Sequence, residues 1–304
     1  MNKVKISEIK YFDFGKCIEI SNNEVNLVVT LDCGPRIIRF GFIGGENQFC
    51  EKADITLDTK FGTWRIMGGH RLWHSPENVP RTYIADNNPV KYEIVENGVH
   101  VTQEIEPWTQ IQKEMVITLD PNENRVKIEH KLTNFNAWPV ELSTWSVTVM
   151  EPGGKEIIPL TKSSTGSLPN RSIVLWPYTR FNDERVSWLD QYVVLDVKPA
   201  KDESFKMGTN NEEGWAAYIR NDSLFIKRSD YIAGMIYPDS GASYETYTNG
   251  KLVEMEILSP LEKLEVEGSS TLIETWELKK GISIKEFTEK NIEDLVSKHI
   301  LSND

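Results

Sequence analysis

Residues 115–132 read MVITLDPNENRVKIEHKL, two alternating segments on either side of a polar turn. Apolar and polar side chains alternate in both segments, so that Val126, Ile128, His130 and Leu132 share one face. The intervening DPNEN segment favours a sharp reversal of the chain. The pattern predicts two strands joined by a turn, with His130 as a buried core residue and not a catalyst.

The same alternation recurs along the chain, as in EVNLVVT at residues 25–31. Many short strands between sharp turns are typical of a β-sandwich, so we predict an all-β protein. The turn-forming groups that separate the strands are Gly34-Pro35, Gly44-Gly45, Asn97-Gly98, Pro152-Gly153-Gly154 and Asn249-Gly250.

Helical periodicity is confined to the carboxyl end of the chain, where it predicts one amphipathic helix. The apolar positions that carry this periodicity are Ile284, Phe287, Ile292, Leu295 and Val296. No Gly/Ser linker, low-complexity tract or fixed-period repeat interrupts the sequence. We therefore predict a single domain over residues 1–304.

The chain is acidic, with 34 Lys and Arg against 46 Asp and Glu and a formal net charge of -12. This charge repels phosphate backbones and anionic membranes, so we expect neither a nucleic-acid nor a membrane partner. Cys17, Cys33 and Cys50 lack C-x-x-C spacing and fit a reducing compartment. The first ten residues, MNKVKISEIK, lack the apolar core of a secretory signal. We predict a cytoplasmic protein, and no pattern addresses its oligomeric state.

Aromatic residues are a second compositional signal, because the chain contains nine tryptophans. Aromatic faces suit the C–H faces of sugar rings, although we expect the core to take about two of every three. Residues 163–188 carry Trp176, Tyr178 and Phe181 in a segment otherwise rich in Ser, Asn, Pro and Arg. Loops of this length are usually functional or disordered. We expect an ordered loop that either covers a site or packs against the rim of a sheet.

Residues 68–78 read GGHRLWHSPEN and form the densest cluster of chemically versatile side chains. His70 and His74 supply acid–base capacity near neutral pH, Arg71 donates paired hydrogen bonds, and Trp73 can stack on a sugar. Glu77 completes the cluster. A structural loop is the alternative interpretation, and a metal site is disfavoured because Gly69 and Pro76 disrupt the helix that usually displays His-x-x-x-His.

A second cluster lies in residues 245–261, ETYTNGKLVEMEILSPL, where a turn is followed by an alternating segment. Alternation places Glu254 and Glu256 on one side of the strand and Val253, Met255 and Ile257 on the core side. A partly buried carboxyl beside a like charge has a raised pKa, which suits a general base. A solvated strand face is the alternative.

Four motifs in this order resemble the galactose mutarotase-like superfamily. They are LDCGPRIIRFGFIGGENQF at 31–49, GGHRLWHSPE at 68–77, HKLTNFNAWPVELSTWSVTVMEPGG at 130–154, and the glutamate strand followed by STLIETWEL at 270–278. The resemblance covers most of residues 20–280. It implies a single-domain antiparallel β-supersandwich that binds a small-molecule sugar and uses no metal or other cofactor.

The resemblance also implies roles for individual residues. In aldose 1-epimerases a late glutamate removes the proton of the anomeric hydroxyl, and Glu256 is the best match, followed by Glu254. His70 or His74 would occupy the histidine role in the early motif. The resemblance makes Arg36 and Arg71 candidate clamps for sugar hydroxyls. We also predict substrate binding by Trp73, Glu77, Glu254, Trp145 and Trp176.

The family's main acid histidine is missing from this chain, because VELSTWSVTV carries Trp145, Ser146 and Thr148 at the matching strand. Loss of a proton donor typically costs about 10²- to 10⁴-fold in rate. Three functions follow in order of preference. The first is anomer interconversion with Glu256 as base and His74 as acid. The second is sugar recognition without catalysis, and the third is glycoside hydrolysis or elimination by Glu254 and Glu256.

Overall fold

The architecture is two large antiparallel β-sheets that pack face to face, seen in a computed structural model that describes residues 3–51, 55–199 and 201–301. The first sheet runs in the spatial order β1 (Lys5–Lys10), β2 (Lys16–Ser21), β3 (Val25–Thr30), β4 (Arg36–Phe42), β7 (Gly69–Ser75), β12 (Val140–Met150), β21 (Val253–Leu258), β20 (Tyr244–Thr248), β17 (Phe205–Thr209) and β14 (Ile173–Leu175), with β22 (Glu262–Leu264) beside β12. This confirms the all-β prediction.

The second sheet packs on one face of the first, and a separate hairpin stands off both sheets. The second sheet runs in the order β15 (Val186–Trp188), β16 (Tyr192–Asp196), β13 (Lys155–Pro159), β18 (Trp215–Arg220), β19 (Ser223–Arg228), β23 (Ser269–Lys280), β11 (Arg125–Asn134), β10 (Ile111–Leu119), β9 (Gly98–Thr102) and β8 (Lys91–Val95). The separate hairpin consists of β5 (Thr56–Thr59) and β6 (Gly62–Arg65).

The MVITLDPNENRVKIEHKL segment folds as the β10–β11 hairpin, as predicted. Ile117 lies opposite Ile128 in the antiparallel register. In the turn, the Asp120 side chain accepts hydrogen bonds from the backbone N–H groups of Asn122 and Glu123. His130 is completely buried on the inward face of β11, which confirms its prediction as a core residue.

The main core lies between the two sheets and takes alternate side chains from each strand. Its centre is aromatic: Phe40 and Phe49, on the side of the first sheet, contact Phe225 and Trp276 of the second sheet, with ring centroids 5.3 to 6.2 Å apart. Each of these rings is almost fully buried, which contributes about 2–3 kcal/mol of hydrophobic stabilisation per side chain. These aromatic contacts hold the two sheets together at the centre of the core.

One C-terminal helix, Glu289–His299, packs on the outer face of the second sheet. Thr288 caps it by accepting a hydrogen bond from the N–H of Asn291. The helix buries Ile292, Leu295 and Val296, as predicted, whereas Ile284 and Phe287 pack on the same cluster from the segment before the helix. The other helical elements are short turns at Phe12–Phe14 and Pro238–Gly241.

Within the described ranges, no helix is both long enough and apolar enough to cross a bilayer.

Candidate sugar-binding cleft

A cleft lies on the outer face of the first sheet, the face turned away from the second sheet. It encloses about 1040 Å³, part of which is open to solvent. Its lining consists of Ile55, Thr56, Leu57, Trp64, Ile66, Arg71, Trp73, Glu77, Tyr83, Trp145, Tyr178, Ser204, Lys206, Tyr247, Asn249 and Glu254. Both sequence clusters therefore contribute to one surface, which neither cluster alone could indicate.

Strand alternation decides which side chains face this cleft. On β7, Arg71 and Trp73 point to the outer face, whereas Leu72 joins the core between the sheets. On β21, Met255 packs in the core and Glu254 lines the cleft. The predicted separation of carboxylates from core residues on β21 is confirmed by this packing.

One wall of the cleft is aromatic. The Trp73 ring lies 5.4 Å from Trp64, 5.1 Å from Tyr83 and 5.1 Å from Trp145, measured between centroids. Trp64 belongs to the β5–β6 hairpin, which closes this side of the cleft. The guanidinium carbon of Arg71 lies 4.2 Å from the Trp73 ring centre, a cation–π contact. The wall gives this side of the cleft a largely apolar surface.

Arg71 is the principal hydrogen-bond donor beside this wall. Its Nη2 donates to Glu254 Oε1 at 2.8 Å, and its side chain is only 2% exposed. The Nε and Nη1 atoms of Arg71 have no hydrogen-bond partner among the described residues. Tyr83 donates a hydrogen bond to Glu77, which holds that carboxylate at the cleft edge. Unpartnered buried N–H groups disfavour an apolar ligand and favour one with several oxygens.

A charged cluster forms the floor of the cleft. Glu245 and Glu256 lie directly opposite each other on β20 and β21, and Lys206 on β17 bridges them. The lysine Nζ lies 2.8 Å from Glu245 Oε2 and 3.1 Å from Glu256 Oε2. Trp145 Nε1 also donates to Glu256 Oε2, at 2.9 Å. The cation offsets the repulsion that two facing carboxylates would otherwise cause.

Glu256 keeps one carboxylate oxygen free. Its Oε1 has no hydrogen-bond partner within the described part of the chain, although the side chain is fully buried. Glu256 itself lies one layer below the lining, but Trp145 and Lys206, which contact it, both line the cleft. A ligand in the cleft would therefore contact these two side chains, which in turn contact the carboxyl group of Glu256.

The environment shifts the pKa of each member of the floor. Burial raises the pKa of Glu256 to about 7, helped by the nearby Glu254 carboxylate and opposed by Lys206. Burial also raises the pKa of Glu245 well above its usual value. Burial alone would lower the pKa of Lys206, but the carboxylates of Glu256 and Glu245 outweigh it and hold that pKa well above normal. A carboxyl group with a pKa near neutrality is suited to general-base catalysis.

His70 lies on the opposite face of β7, between the two sheets. Its Nε2 is 2.7 Å from His130 Nε2, and its Nδ1 is 2.9 Å from Thr148 Oγ1. Burial, and then the neighbouring His130, lower the pKa of His70 well below its usual value. This placement does not support a direct role for His70 on a ligand in the cleft.

His74 lies on the same inward face of β7 and is also buried. Burial lowers its pKa well below the usual value, and the charges of Lys113 and Arg81 lower it further. Its Nε2 has no hydrogen-bond partner among the described residues. Contact between His74 and a sugar on the outer face would require passage through the strand, so the structure does not support His74 as the acid.

His70, His130 and Glu274 form a group whose ligand atoms lie within 4.8 Å of one another, close enough to consider a metal ion. Each of these side chains already has protein partners. His130 Nδ1 donates to the Leu272 carbonyl at 3.0 Å, and Glu274 accepts from Trp276 Nε1 at 2.9 Å. The Lys227 ammonium lies 3.4 Å from Glu274, where it would repel a metal cation. The group fits a closed polar network better than a metal site.

The remaining predicted binding residues divide between the cleft and its surroundings. Trp145 lines the cleft, whereas Trp176 lies beside it, with Lys206 Nζ 4.7 Å from the Trp176 ring centre. Arg36 is fully buried and bonds to Asp86 at 2.8 Å and to the Ile66 carbonyl at 2.8 Å. The guanidinium of Arg36 therefore holds the segments around Ile66 and Asp86 beside the cleft, and Arg36 is not part of the cleft lining.

Four residues of the cleft and its floor were not among the predicted site residues: Lys206, Glu245, Trp64 and Tyr83. The alternation of ETYT at residues 245–248 places Glu245 and Tyr247 on one face, and this signal could have indicated the first carboxylate. Lys206 has no comparable local signal. It reaches the floor because β17 pairs with β20, a long-range contact that spacing does not encode.

Comparison with solved structures identifies the architecture. The chain aligns with a putative aldose 1-epimerase from Klebsiella pneumoniae at a TM-score of 0.61, with 12% identity over 98% of this chain and 87% of that one. A galactose mutarotase-like protein from Lactobacillus casei aligns at 0.54, with 10% identity over 86% and 100% of the two chains. The chain has the galactose mutarotase-like fold.

The mutarotase-like fold also occurs within longer proteins. A TPR-domain containing protein from Parabacteroides distasonis aligns at a TM-score of 0.61 with 13% identity, covering 90% of this chain but only 48% of the other. The chain therefore spans about half the length of that protein. No protein-family model and no curated protein matches the sequence.

Proposed function

We propose that the protein binds a sugar in the cleft and interconverts its anomers, with Glu256 as the general base. The observation that carries the proposal is the free Oε1 of a buried glutamate with a pKa of about 7, beneath an aromatic wall. The mutarotase-like fold supports a carbohydrate-related role. A cytoplasmic location and the lack of a nucleic-acid partner stay predictions from composition.

The cleft offers an aromatic surface and hydrogen-bond donors that suit a pyranose. The ring stacks on the wall of Trp73, Trp64 and Trp145, while the unpartnered N–H groups of Arg71 donate to hydroxyl oxygens. The anomeric hydroxyl then lies over the floor, where Glu256 removes its proton. The electron pair of that O–H bond forms the aldehyde C=O, the bond between C1 and the ring oxygen breaks, and the ring oxygen takes up a proton. Rotation about the C1–C2 bond of the open chain, followed by closure with return of both protons, yields the second anomer.

Anomer-resolved NMR on freshly dissolved sugars tests this proposal. We would compare galactose, glucose, their 6-phosphates and a uronic acid, with the wild-type protein beside Glu256→Gln. We expect acceleration of one or more sugars by the wild type and loss of about 10²- to 10⁴-fold in the variant. Glu254→Gln is the comparison variant, because Glu254 is the second candidate for the base and lies two residues away on the same face of β21. A larger loss in Glu254→Gln than in Glu256→Gln would move the assignment to Glu254. Equal rates for wild type and Glu256→Gln would remove Glu256 as the base.

Sugar recognition without catalysis is the second candidate function. It is favoured by the inward orientation of His70 and His74, which separates both histidines from the cleft. Saturation-transfer signals from a bound sugar, with no acceleration of its anomer exchange, would establish this alternative. Hydrolysis by Glu254 and Glu256 is disfavoured, because side chains on one face of one strand do not flank a bond from opposite sides.

A further inference from the structure

The proposed reaction needs a proton donor for the ring oxygen, and no histidine is placed to act as one. None of the five histidines, all of which the structure describes, lines the cleft. Of the two in the early motif, His70 is engaged with His130 between the sheets and His74 faces the same inward side. The donor must therefore be a group other than histidine.

Lys206 is the cation nearest to the proposed base. Its Nζ lies 3.1 Å from Glu256 Oε2, and it lines the cleft in its own right. The rings of Trp145 and Trp176 hold it in place, with their centres 4.9 and 4.7 Å from Nζ. An ammonium has three N–H donors, and Glu245 and Glu256 take two of them. One donor remains for a ligand oxygen.

We propose that Lys206 is the catalytic acid of this protein, a role that rests on the proposed function of Glu256. The anomeric oxygen and the ring oxygen of a sugar are both bonded to C1, so acid and base must act at adjacent points. Lys206 Nζ contacts one carboxylate oxygen of Glu256, Oε2, whereas the other oxygen, Oε1, is free to accept a proton. The two residues therefore provide an adjacent acid and base. Ring opening then uses two residues that touch each other.

The step is balanced in protons and charge. Glu256 accepts the proton of the anomeric hydroxyl and becomes neutral, while the electron pair of that O–H bond forms the aldehyde C=O. The C1–ring oxygen bond breaks, and its electron pair takes a proton from the Lys206 ammonium, which becomes a neutral amine. An ion pair becomes a neutral pair, and the sugar stays neutral throughout. Closure reverses both transfers.

The contact between the two groups couples the transfers. The ionised carboxylates hold the pKa of Lys206 high, which keeps the lysine protonated before reaction. Once Glu256 has accepted a proton, one of those two charges is lost and the lysine releases its proton more readily. The acid is thereby activated at the moment the base is used, although the pKa of Lys206 before the reaction lies well above its ordinary value.

Paired substitutions at Lys206 test the assignment by the same NMR exchange assay. Lys206→Arg keeps a cation between the carboxylates but does not release a proton, and Lys206→Met removes both properties. We expect kcat to fall by about 10²- to 10⁴-fold in both variants. Sugar affinity, followed by tryptophan fluorescence, is expected to stay within about threefold of the wild type in Lys206→Arg. If Lys206 only positions Glu256, Lys206→Arg will keep nearly full kcat, and the assignment is overturned.

The same assay separates failure of this inference from failure of the proposed function. If the wild-type protein accelerates the anomer exchange of no sugar, the proposed function and the role of Lys206 are both wrong. Activity that requires Glu256 but survives in Lys206→Arg removes only the lysine. If Lys206→Met folds poorly, the double variant Lys206→Met with Glu245→Gln replaces it. This variant removes the lysine charge together with the carboxyl group that the lysine contacts, so no unpaired carboxylate is left at position 245. Substantial activity in the folded double variant would likewise overturn the assignment.

Discussion

Glu245 lies directly opposite Glu256 across two neighbouring strands, and both carboxyl groups are buried. Facing carboxylates in a sheet repel each other, and burial adds a desolvation penalty. Lys206 offsets part of this cost by contacting both groups. The arrangement lowers stability, and burial raises the pKa of Glu256 to about 7 in spite of Lys206, a combination of costs and perturbed pKa values that is expected at a functional site.

The first prediction concerns the pH dependence of anomer exchange. Glu256 acts as a base only when ionised, and its pKa is raised to about 7 mainly by burial. We therefore expect the catalysed rate to be low at pH 5, to rise through about pH 7 and to level off above pH 8. NMR exchange rates, after subtraction of the protein-free rate at each pH, check this. A catalysed rate that is flat from pH 5 to pH 9 would contradict it.

The fold was largely predictable from sequence because it depends on local signals. Alternation in MVITL and RVKIEHKL identifies both strands, and the side chain of Asp120 closes the turn between them. The C-terminal helix was equally visible through the spacing of Ile292, Leu295 and Val296. Spacing and capping act over a few residues, so a single sequence reports them directly.

The site was only partly predictable, because it depends on strand parity and long-range register. Arg71 and His70 are adjacent in sequence, yet one faces the cleft and the other the interior. The composition of GGHRLWHSPEN does not reveal which set points outward. Lys206 contacts Glu256 because β17 pairs with β20 and β20 pairs with β21. This strand order depends on the whole sheet and not on local spacing.

The second prediction concerns sugar binding by Arg71. Lys keeps the positive charge beside Glu254 but loses the planar fork and the stacking on Trp73. We expect Arg71→Lys to raise the Kd for the sugar by about tenfold, or about 1.4 kcal/mol. Arg65→Lys is the control, because Arg65 is an exposed arginine at the end of β6. Titration by tryptophan fluorescence measures both, and equal affinities would argue against the contact.

The third prediction separates a structural from a catalytic role for His70. Its two ring nitrogens lie within hydrogen-bond distance of His130 and Thr148 between the sheets. Removal of the ring leaves buried polar groups unsatisfied, so His70→Ala should lower the free energy of unfolding by about 2–3 kcal/mol. We expect sugar affinity to remain within about twofold in the folded variant. His100→Ala, at a half-exposed position, is the control. A stable His70→Ala protein without activity would instead restore His70 as a catalytic candidate.

The fourth prediction concerns stability against pH and involves Glu156 in the interior. It accepts hydrogen bonds from Tyr244 and Thr246, at 2.5 and 2.6 Å, and burial raises its pKa from 4.5 to about 7. The folded state therefore binds this proton more tightly than the unfolded state. The resulting penalty is absent below about pH 4.5, grows as the pH rises, and is complete above about pH 7.

Substitution of this group should flatten the profile. We expect the stability difference between Glu156→Gln and wild type to be more favourable to the variant at pH 8 than at pH 5, by about 1–3 kcal/mol. Urea denaturation at both pH values measures it. Glu93→Gln, on an exposed strand position, should show no such change with pH. A difference that shrinks as the pH rises would contradict the raised pKa of Glu156.

The last prediction concerns residues 163–188, which we expected to be an ordered loop near a site. Tyr178 of this segment lines the cleft, whereas Phe181 stacks on Trp188 with ring centroids 5.5 Å apart. Tyr178→Ala removes an aromatic face and a hydroxyl group from the cleft, so we expect the Kd for the sugar to rise about five- to tenfold. Phe181→Ala removes a similar ring outside the cleft and should leave the Kd within about twofold. Weakening by Phe181→Ala equal to that by Tyr178→Ala would show that the segment acts through its packing as a whole and not through Tyr178.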